Sequence, residues 1–290
     1  MKIGIALPAN IPGVGSKDLI DWARNCDAAP FSTLAANDRL AYVTGDPLAL
    51  LAMATGVTTR VRLMTSVIVA PLRNAGVLAT QAATIDSLSN GRLTLGLAVG
   101  GREDDYLAAL APYRDRGKRF DEMLAHMKRI WAGETFMDDS NPAGPAPVQP
   151  GGPEILIGGT APAAIARVGR SADGFIAGGG GNLERARDVY ESVLASWAEY
   201  GRPGKPRFLS GLSYALGGAA VIEQARVNQH HYYSWLGDKV ATGRAQGIVT
   251  TPEAMRETIA GLESIGVDEV IMQPTHSAAE QLDRAAAAVF

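Results

Sequence analysis

Hydrophobic positions along the chain alternate between two patterns: short, near-continuous apolar runs, and longer stretches with apolar residues at helical spacing. Ile3-Gly4-Ile5-Ala6-Leu7-Pro8 is the first run, a strand stopped by proline. A helix follows, with Ser16 as its cap and Leu19, Ile20, Ala23 and Cys26 on one face. Phe31 to Ala36 forms a second strand, ending in the polar triplet Asn37-Asp38-Arg39. Asp46-Pro47 opens a helix through Thr55, because proline suits the first helical position. Val61 to Ala70 is the third strand; Asn74 then caps a helix through Leu88, closed by Asn90-Gly91. Arg92 to Val99 is the fourth strand, which opens into Gly100-Gly101 and the charged Arg102 to Asp105, read as a solvated helix start. Phe120, Met123, Leu124, Met127, Ile130 and Trp131 give one face of a helix over 119–132.

Residues 134–153 are rich in proline, glycine and aspartate and break the rhythm. It resumes with strands at Glu154 to Thr160 and Gly174 to Ala177, separated by a helix opening at Pro162. After Gly178 to Gly181, Asn182 caps a helix to Tyr200. Phe208 to Leu216 is strand seven, followed by a long helical region over 219–242 and a helix from Thr251-Pro252 to Gly266. Val267 to Gln273 is strand eight, and 277–290 is an alanine-rich terminal helix. Eight runs buried on both faces, nearly each followed by a helix, predict an α/β fold: a (β/α)8 TIM barrel with an insertion. The expected organisation is one domain over 1–290, with 134–153 as an insertion loop inside it. A doubly wound sheet fits less well, since no GxGxxG follows the first strand.

A net charge of −3 without a basic block argues against nucleic acid as a partner. The single cysteine, Cys26, excludes an internal disulfide and reads as a buried thiol. His126, His230, His231 and His276 form no ligand pair at metal spacing, so no metal site is expected. No apolar run is long enough for a bilayer and no leader pattern stands at the start, so the expectation is a cytoplasmic protein without a membrane partner.

Barrels of this kind place ligands at the C-terminal strand ends. Those ends hold many glycines and no dense acid–base or metal cluster. Such a site suits a cofactor that brings its own chemistry. Gly158-Gly159-Thr160, just before a helix, is a candidate phosphate seat through backbone N–H groups, a hydroxyl and the helix N-terminus. Glycines at strand–helix turns also occur for geometric reasons alone.

The chain resembles the luciferase-like flavin and deazaflavin oxidoreductases, the bacterial luciferase superfamily. The resemblance covers nearly the whole chain. It rests on Pro71-Leu72-Arg73-Asn74, Gln81 to Asp86, Ser89 to Leu97, Arg102 to Tyr106, Arg119 to Glu122, Ile157 to Thr160, Ala172 to Phe175, Thr251-Pro252-Glu253 and Gly266 to Glu269, in that order and spacing.

The resemblance implies a barrel with FMN or coenzyme F420 at its mouth, and either F420-dependent hydride transfer or FMN-dependent monooxygenation of a small organic substrate. It implies a non-prolyl cis peptide in strand three, by position Ser66-Val67. It puts Asp38, Ala98 and Gly100 beside the ring, and Gly158, Gly159, Thr160, Gly178 and Gly179 around the phosphate. Arg39, Gly101, Tyr232 and Gln273 are candidate substrate-pocket residues; no catalytic residue is assigned. A homodimer and a flavin reductase supplying reduced cofactor are the implied partners.

Two departures bear on this. Relatives often carry Asp-His where this chain has Asp38-Arg39, and an arginine cannot act as a general base. Arg39 either clamps an anion or forms a surface pair with Asp38 or Asp46. Gly101 stands where relatives often have Trp, which implies a roomier wall. These departures keep a second reading open, a non-catalytic barrel that binds flavin weakly or not at all and serves as a binding partner. His230 to Trp235 read either as an aromatic rim over the substrate or as core and exposed helix face. A tail path for F420 through Arg167, Arg170, Arg185 and Arg187 competes with ordinary helix-surface charge.

Overall fold

The computed structural model describes residues 1–178 and 183–290. Eight strands close into one parallel barrel in sequence order: β1 (Lys2–Ala6), β2 (Thr33–Ala36), β3 (Arg62–Val69), β4 (Leu93–Ala98), β5 (Glu154–Gly158), β6 (Gly174–Ala177), β7 (Arg207–Tyr214) and β8 (Glu269–Pro274). Around them lie α1 (Ser16–Ala28), α2 (Pro47–Thr55), α3 (Ala75–Leu88), α4 (Glu103–Ala108), α5 (Arg116–Trp131), α6 (Pro162–Ser171), α7 (Leu183–Glu199), α8 (Ala219–Tyr233), α9 (Asp238–Gln246), α10 (Pro252–Ser264) and α11 (Glu280–Val289). The predicted (β/α)8 barrel is therefore the fold. Asn182, expected to cap α7, and Gly179 lie outside the described residues.

Three local expectations change. Gly15, not Ser16, caps α1, and its N–H donates to Asp18 at 3.0 Å. The long helical region splits into α8 and α9, because Gly237 turns with φ +87° after a short 3-10 segment at Ser234–Leu236. The 134–153 insertion is anchored at its far end. Buried Asp86 accepts from the Val148 and Gln149 N–H groups at 2.8 and 3.0 Å and from the Gln149 amide at 2.6 Å.

Side chains alternate across each strand, so every second residue enters the barrel. The outward set (Ile5, Leu34, Leu63, Leu95, Ile157, Phe175, Phe208, Met272) joins the helices in one large apolar shell. The inward set is stacked in layers. Its middle layer is a small apolar cluster of Ala6, Ala35, Met64, Leu156, Ile176, Leu209 and Ile271.

Two residues earlier on the same strands lies an ionic floor. Glu269 accepts from Thr33 at 2.6 Å and from Ser32 and Arg207. Arg207 also reaches Glu154, which accepts from Thr94 at 2.8 Å, and Arg62 donates to Thr94 at 2.9 Å. Two residues later than the middle layer is the mouth. There β3 and β4 slip register, with Thr65 opposite Leu95 but Ile68 opposite Leu97. The two residues between, Ser66 and Val67, share a cis peptide, as the resemblance implied. Gly96 faces this slip, and a Cβ on it would stand 2.1 Å from the Thr65 carbonyl oxygen. No described helix is long and apolar enough to cross a membrane.

Candidate functional site

The mouth holds a partly open cleft of about 230 Å³. Its floor is Ser66, Val67, Ala98 and Gly158, from the ends of β3, β4 and β5. Asn37, Gln273 and Pro274 close one side, Ile176, Ala177 and Gly178 another, and Gln229, Tyr232 and Tyr233 reach in from α8. Polar lining groups are neutral at neutral pH. Burial pushes the Tyr232 hydroxyl up to about 12, against an opposing pull from the nearby Arg102 and Arg39, so it stays protonated and able to donate.

The amides form a chain. Asn37 Nδ2 donates to Gln273 Oε1 at 2.9 Å, and Gln273 Nε2 points to Ser66 Oγ at 3.5 Å. Gln229 Nε2 donates to Ser213 Oγ at 3.1 Å. Asn37 Oδ1 is buried beside the cleft with no donor. An acceptor so placed costs about 1–3 kcal/mol until something satisfies it.

Gly158 and Gly159 line the cleft at the exit of β5, with Gly159 at φ +120°. The next helix, α6, begins two residues beyond Thr160. The backbone thus approaches without side chains where helix amides gather, the arrangement that favours an anion. The Thr160 side chain is exposed and does not line the cleft. Gly178 lines it, and a Cβ there would meet no described atom within 4 Å. Among described residues no cluster of His, Cys, Asp or Glu could hold a metal.

Behind the cleft lies a second layer of residues that acts on its wall. Asp38 accepts from Val69 N–H at 3.0 Å and from Arg73 at 3.2 Å, and Arg73 also pairs with Asp46 at 2.7 Å. Burial pushes the Asp38 carboxyl up while Arg73 opposes it. Of the two readings of Arg39, the surface pair with Asp38 or Asp46 does not form: both carboxylates serve Arg73. Arg39 is only 6% exposed. Its guanidinium donates to the Tyr232 carbonyl oxygen at 2.6 Å and lies over the rings of Tyr42 and Tyr232, at 4.1 and 4.8 Å. It caps the last turn of α8, where a cation meets the negative end of the helix dipole.

Arg102 to Asp105 is a helix start as read, with Glu103 and Asp104 exposed in the first turn of α4, but Arg102 and Asp105 are covered. Arg102 and Asp105 are buried and paired at 3.0 Å, and Asp105 also accepts from Ala41 N–H at 2.8 Å. The Arg102 guanidinium sits 5.4 Å from the Trp235 ring. Trp235 packs over Gly101, 3.4 Å from where a Cβ would stand. The wall expected to be roomier at Gly101 is covered by a residue from another element. Tyr42, His231, Tyr232 and Trp235 thus make a rim, partly as read from the aromatic run; His231 accepts or donates with Tyr42 at 3.0 Å, and His230 pairs with Asp238 instead.

The β4 exit is held by its carbonyls: Val99, Gly100 and Gly101 accept from Tyr106, Arg116 and Tyr113 respectively. Gly100 turns with φ +67° and borders Val69, outside the cleft lining. Arg167 and Arg170 both pair with Asp121. Ser213, Gln229 and Thr275 were not singled out in the sequence, whereas Tyr233 stands in the aromatic run read there as a rim. Ser213 alone carried a signal, standing two residues after Gly211 on the inward side of β7.

A closed barrel whose mouth gathers glycine backbone, amides and hydroxyls around one cleft is a (β/α)8 protein with a candidate ligand site at the C-terminal strand ends. The sequence model of the luciferase-like monooxygenase family matches residues 1–263, and the chain belongs to that family. A Mycobacterium tuberculosis protein described as uncharacterized is 30% identical over 190 residues, 56% of this chain and 65% of that one. The F420-dependent glucose-6-phosphate dehydrogenase of Beutenbergia cavernae is 33% identical over 206 residues, 63% of this chain and 58% of that one. The match thus spans less than two thirds of the length of these relatives. Among solved structures, the monooxygenase RslO1 of Streptomyces bottropensis superposes with TM-score 0.79 at 22% identity, covering 99% of this chain and 96% of that one. An F420-dependent secondary alcohol dehydrogenase superposes with TM-score 0.78 at 14% identity, covering 99% and 98%. At these identities the superpositions speak for the fold.

Proposed function

We propose that this protein is a cofactor-dependent oxidoreductase that holds coenzyme F420 or FMN in the mouth cleft. The observation that carries the reading is the cleft's chemistry. Its described walls hold no carboxylate, imidazole, ammonium, guanidinium or thiol. Protein groups alone give such a site no general acid or base for neutral pH. The residues fit the cofactor: glycine backbone for a phosphate, small and apolar groups at Val67 and Ala98 beside Ser66, and an unsatisfied acceptor at Asn37.

When bound, the ring would supply the redox chemistry, as hydride exchange from F420 or oxygen activation by reduced FMN. Gly158, Gly159 and Gly178 would receive the phosphate. Ser66, Val67 and Ala98 would back the ring, and Asn37 with Gln273 would hydrogen-bond at its edge or to the substrate. Tyr232 and Tyr233 would cover the substrate and exclude water. Arg39 contributes by holding Tyr232, since its guanidinium faces the rings and the α8 carbonyl and not the cleft lining.

The test is a thermal-shift series with FMN, reduced FMN and F420. A ligand at 100 times its Kd stabilises the fold by about 2.7 kcal/mol, which raises the melting temperature by several degrees. No shift with any of the three at high micromolar concentration would refute the reading.

A further inference from the structure

We infer that the outer face of α2 and α3 docks a second copy of this chain. The two α3 helices run antiparallel across a two-fold axis, so that Val77 of each copy faces Leu88 of the other. This face lies outside the mouth cleft, and the inference does not depend on what the cleft binds. Three observations carry it.

First, the face lacks charge. The 9 residues of α2 carry none, and the 14 of α3 carry one, Asp86, which is buried. Every other described helix of eight residues or more carries at least two charged side chains. α2 is apolar all round except for Thr55, yet Ala49 is exposed and Leu50, Ala52 and Met53 are only half-buried. A helix that is apolar on every side is normally covered on every side.

Second, four exposed residues of α3 have the spacing of a helix–helix seam. Val77, Gln81, Thr84 and Leu88 follow one another at intervals of four, three and four residues. Val77 is 56% exposed and Leu88 61%. Laid against its own reverse, the row is self-complementary: Val77 meets Leu88, and Gln81 meets Thr84. The Thr84 hydroxyl already donates to the Thr80 carbonyl oxygen at 2.8 Å, which leaves its oxygen to accept from the Gln81 amide of the second copy.

Third, a seat for the incoming leucine exists. A groove of about 420 Å³ between α3, α5 and the insertion is lined by Gly76, Val77, Thr80, Gln81, Ile130 and Phe136. It lies at the Val77 end of α3, and Leu88 stands exposed at the other end. Antiparallel pairing seats both leucines in both grooves; parallel pairing leaves both grooves empty. With α2 on one side of α3 and the groove on the other, the face measures about 20 by 30 Å. That is roughly 600 Å² in projection, close to the ~800 Å² each partner buries in a standard stable interface, with no charge to strip of water at its centre.

The experiment is sedimentation equilibrium on the full chain and three variants, with circular dichroism as the folding control. The wild type should be a dimer at micromolar concentration. Val77→Glu and Leu88→Arg, each made at an exposed position, should each weaken self-association at least a hundredfold. The double variant, in which Glu at 77 meets Arg at 88 of the other copy twice, should regain at least tenfold over either single variant. A monomeric wild type, single variants that stay dimeric, or a double variant no tighter than the single ones would each overturn the inference.

Discussion

The two ends of the barrel use polar residues in opposite ways. The N-terminal floor is ionic and complete: Glu154 and Glu269 face Arg62 and Arg207, with Thr33 and Thr94 filling the remaining valences. The C-terminal mouth is neutral and incomplete: its amides hydrogen-bond one another but leave Asn37 Oδ1 unpaired beside an open cleft. Charge near the mouth is confined behind the wall, in the Arg39, Arg102 and Asp105 cluster that fixes Tyr232. Only five residues lie between Arg207 at the floor and Ser213 at the mouth, on the single strand β7. A satisfied ionic layer closes and stabilises; an unsatisfied neutral one is ready to accept a ligand.

The largest expected effect lies at the floor. Glu269→Leu removes the shared acceptor of Ser32, Thr33 and Arg207 and should lower stability by about 3–5 kcal/mol, the usual result of orphaning a buried ion pair. Denaturant melts would show it, while ligand affinity at the mouth stays within twofold for the folded protein. Loss of binding with stability intact would reverse the assignment of the two ends.

Next comes the cluster behind the wall. Arg39→Gln should cost about 1–2 kcal/mol, from one hydrogen bond and two cation–π contacts. It should also loosen Trp235. That residue is 42% exposed, against 3%, 6% and 6% for Trp22, Trp131 and Trp197, so acrylamide quenching of tryptophan reports mainly on it. Unchanged quenching would show that Arg39 does not hold the rim.

At the mouth itself the balance shifts from stability to binding. Gln273→Leu should change stability by only about 1 kcal/mol, since it breaks one neutral hydrogen bond, yet weaken binding of an uncharged ligand about tenfold. A stability loss as large as that of Glu269→Leu would mean the mouth is as structural as the floor.

The smallest effect is a flat pH profile. Burial raises the Tyr232 hydroxyl from 10.0 to about 12, so the folded protein keeps that proton more tightly than the unfolded chain. Its contribution is intact below pH 10 and is lost as pH climbs toward 12. Affinity for an uncharged ligand should then vary less than twofold between pH 6 and 9, measured by calorimetry at several pH values. A tenfold change in that range would reveal a titrating group in the wall.

Much of the fold was legible because buried parallel strands write themselves as apolar runs, and helix starts as caps such as Asp46-Pro47 and Asn74. The mouth was half legible. Ser66, Val67, Ala98, Gly158 and Gly178 follow from where strands end, but Gln229 arrives from a helix far along the chain. The buried cluster was not legible. Adjacent Asp38 and Arg39 look like a surface pair, yet their side chains part company, one to Arg73 and one to Tyr232. Arg102 and Asp105 have the spacing of a solvated helix start, and only Tyr232 and Trp235, more than 120 positions later, show that they are covered.

The most direct test is a fluorescence titration of F420 and FMN against the wild type and Gly178→Val. No described atom lies within 4 Å of a Cβ at Gly178, which lines the cleft, so valine adds bulk to the cleft wall; an unchanged melting temperature of the variant accompanies the titration as its folding control. Saturable one-to-one binding of F420 or FMN to the wild type, weakened at least tenfold in Gly178→Val, is the predicted result. Equal affinity for both proteins, or no binding of either cofactor, would contradict the assignment of this mouth as the cofactor site.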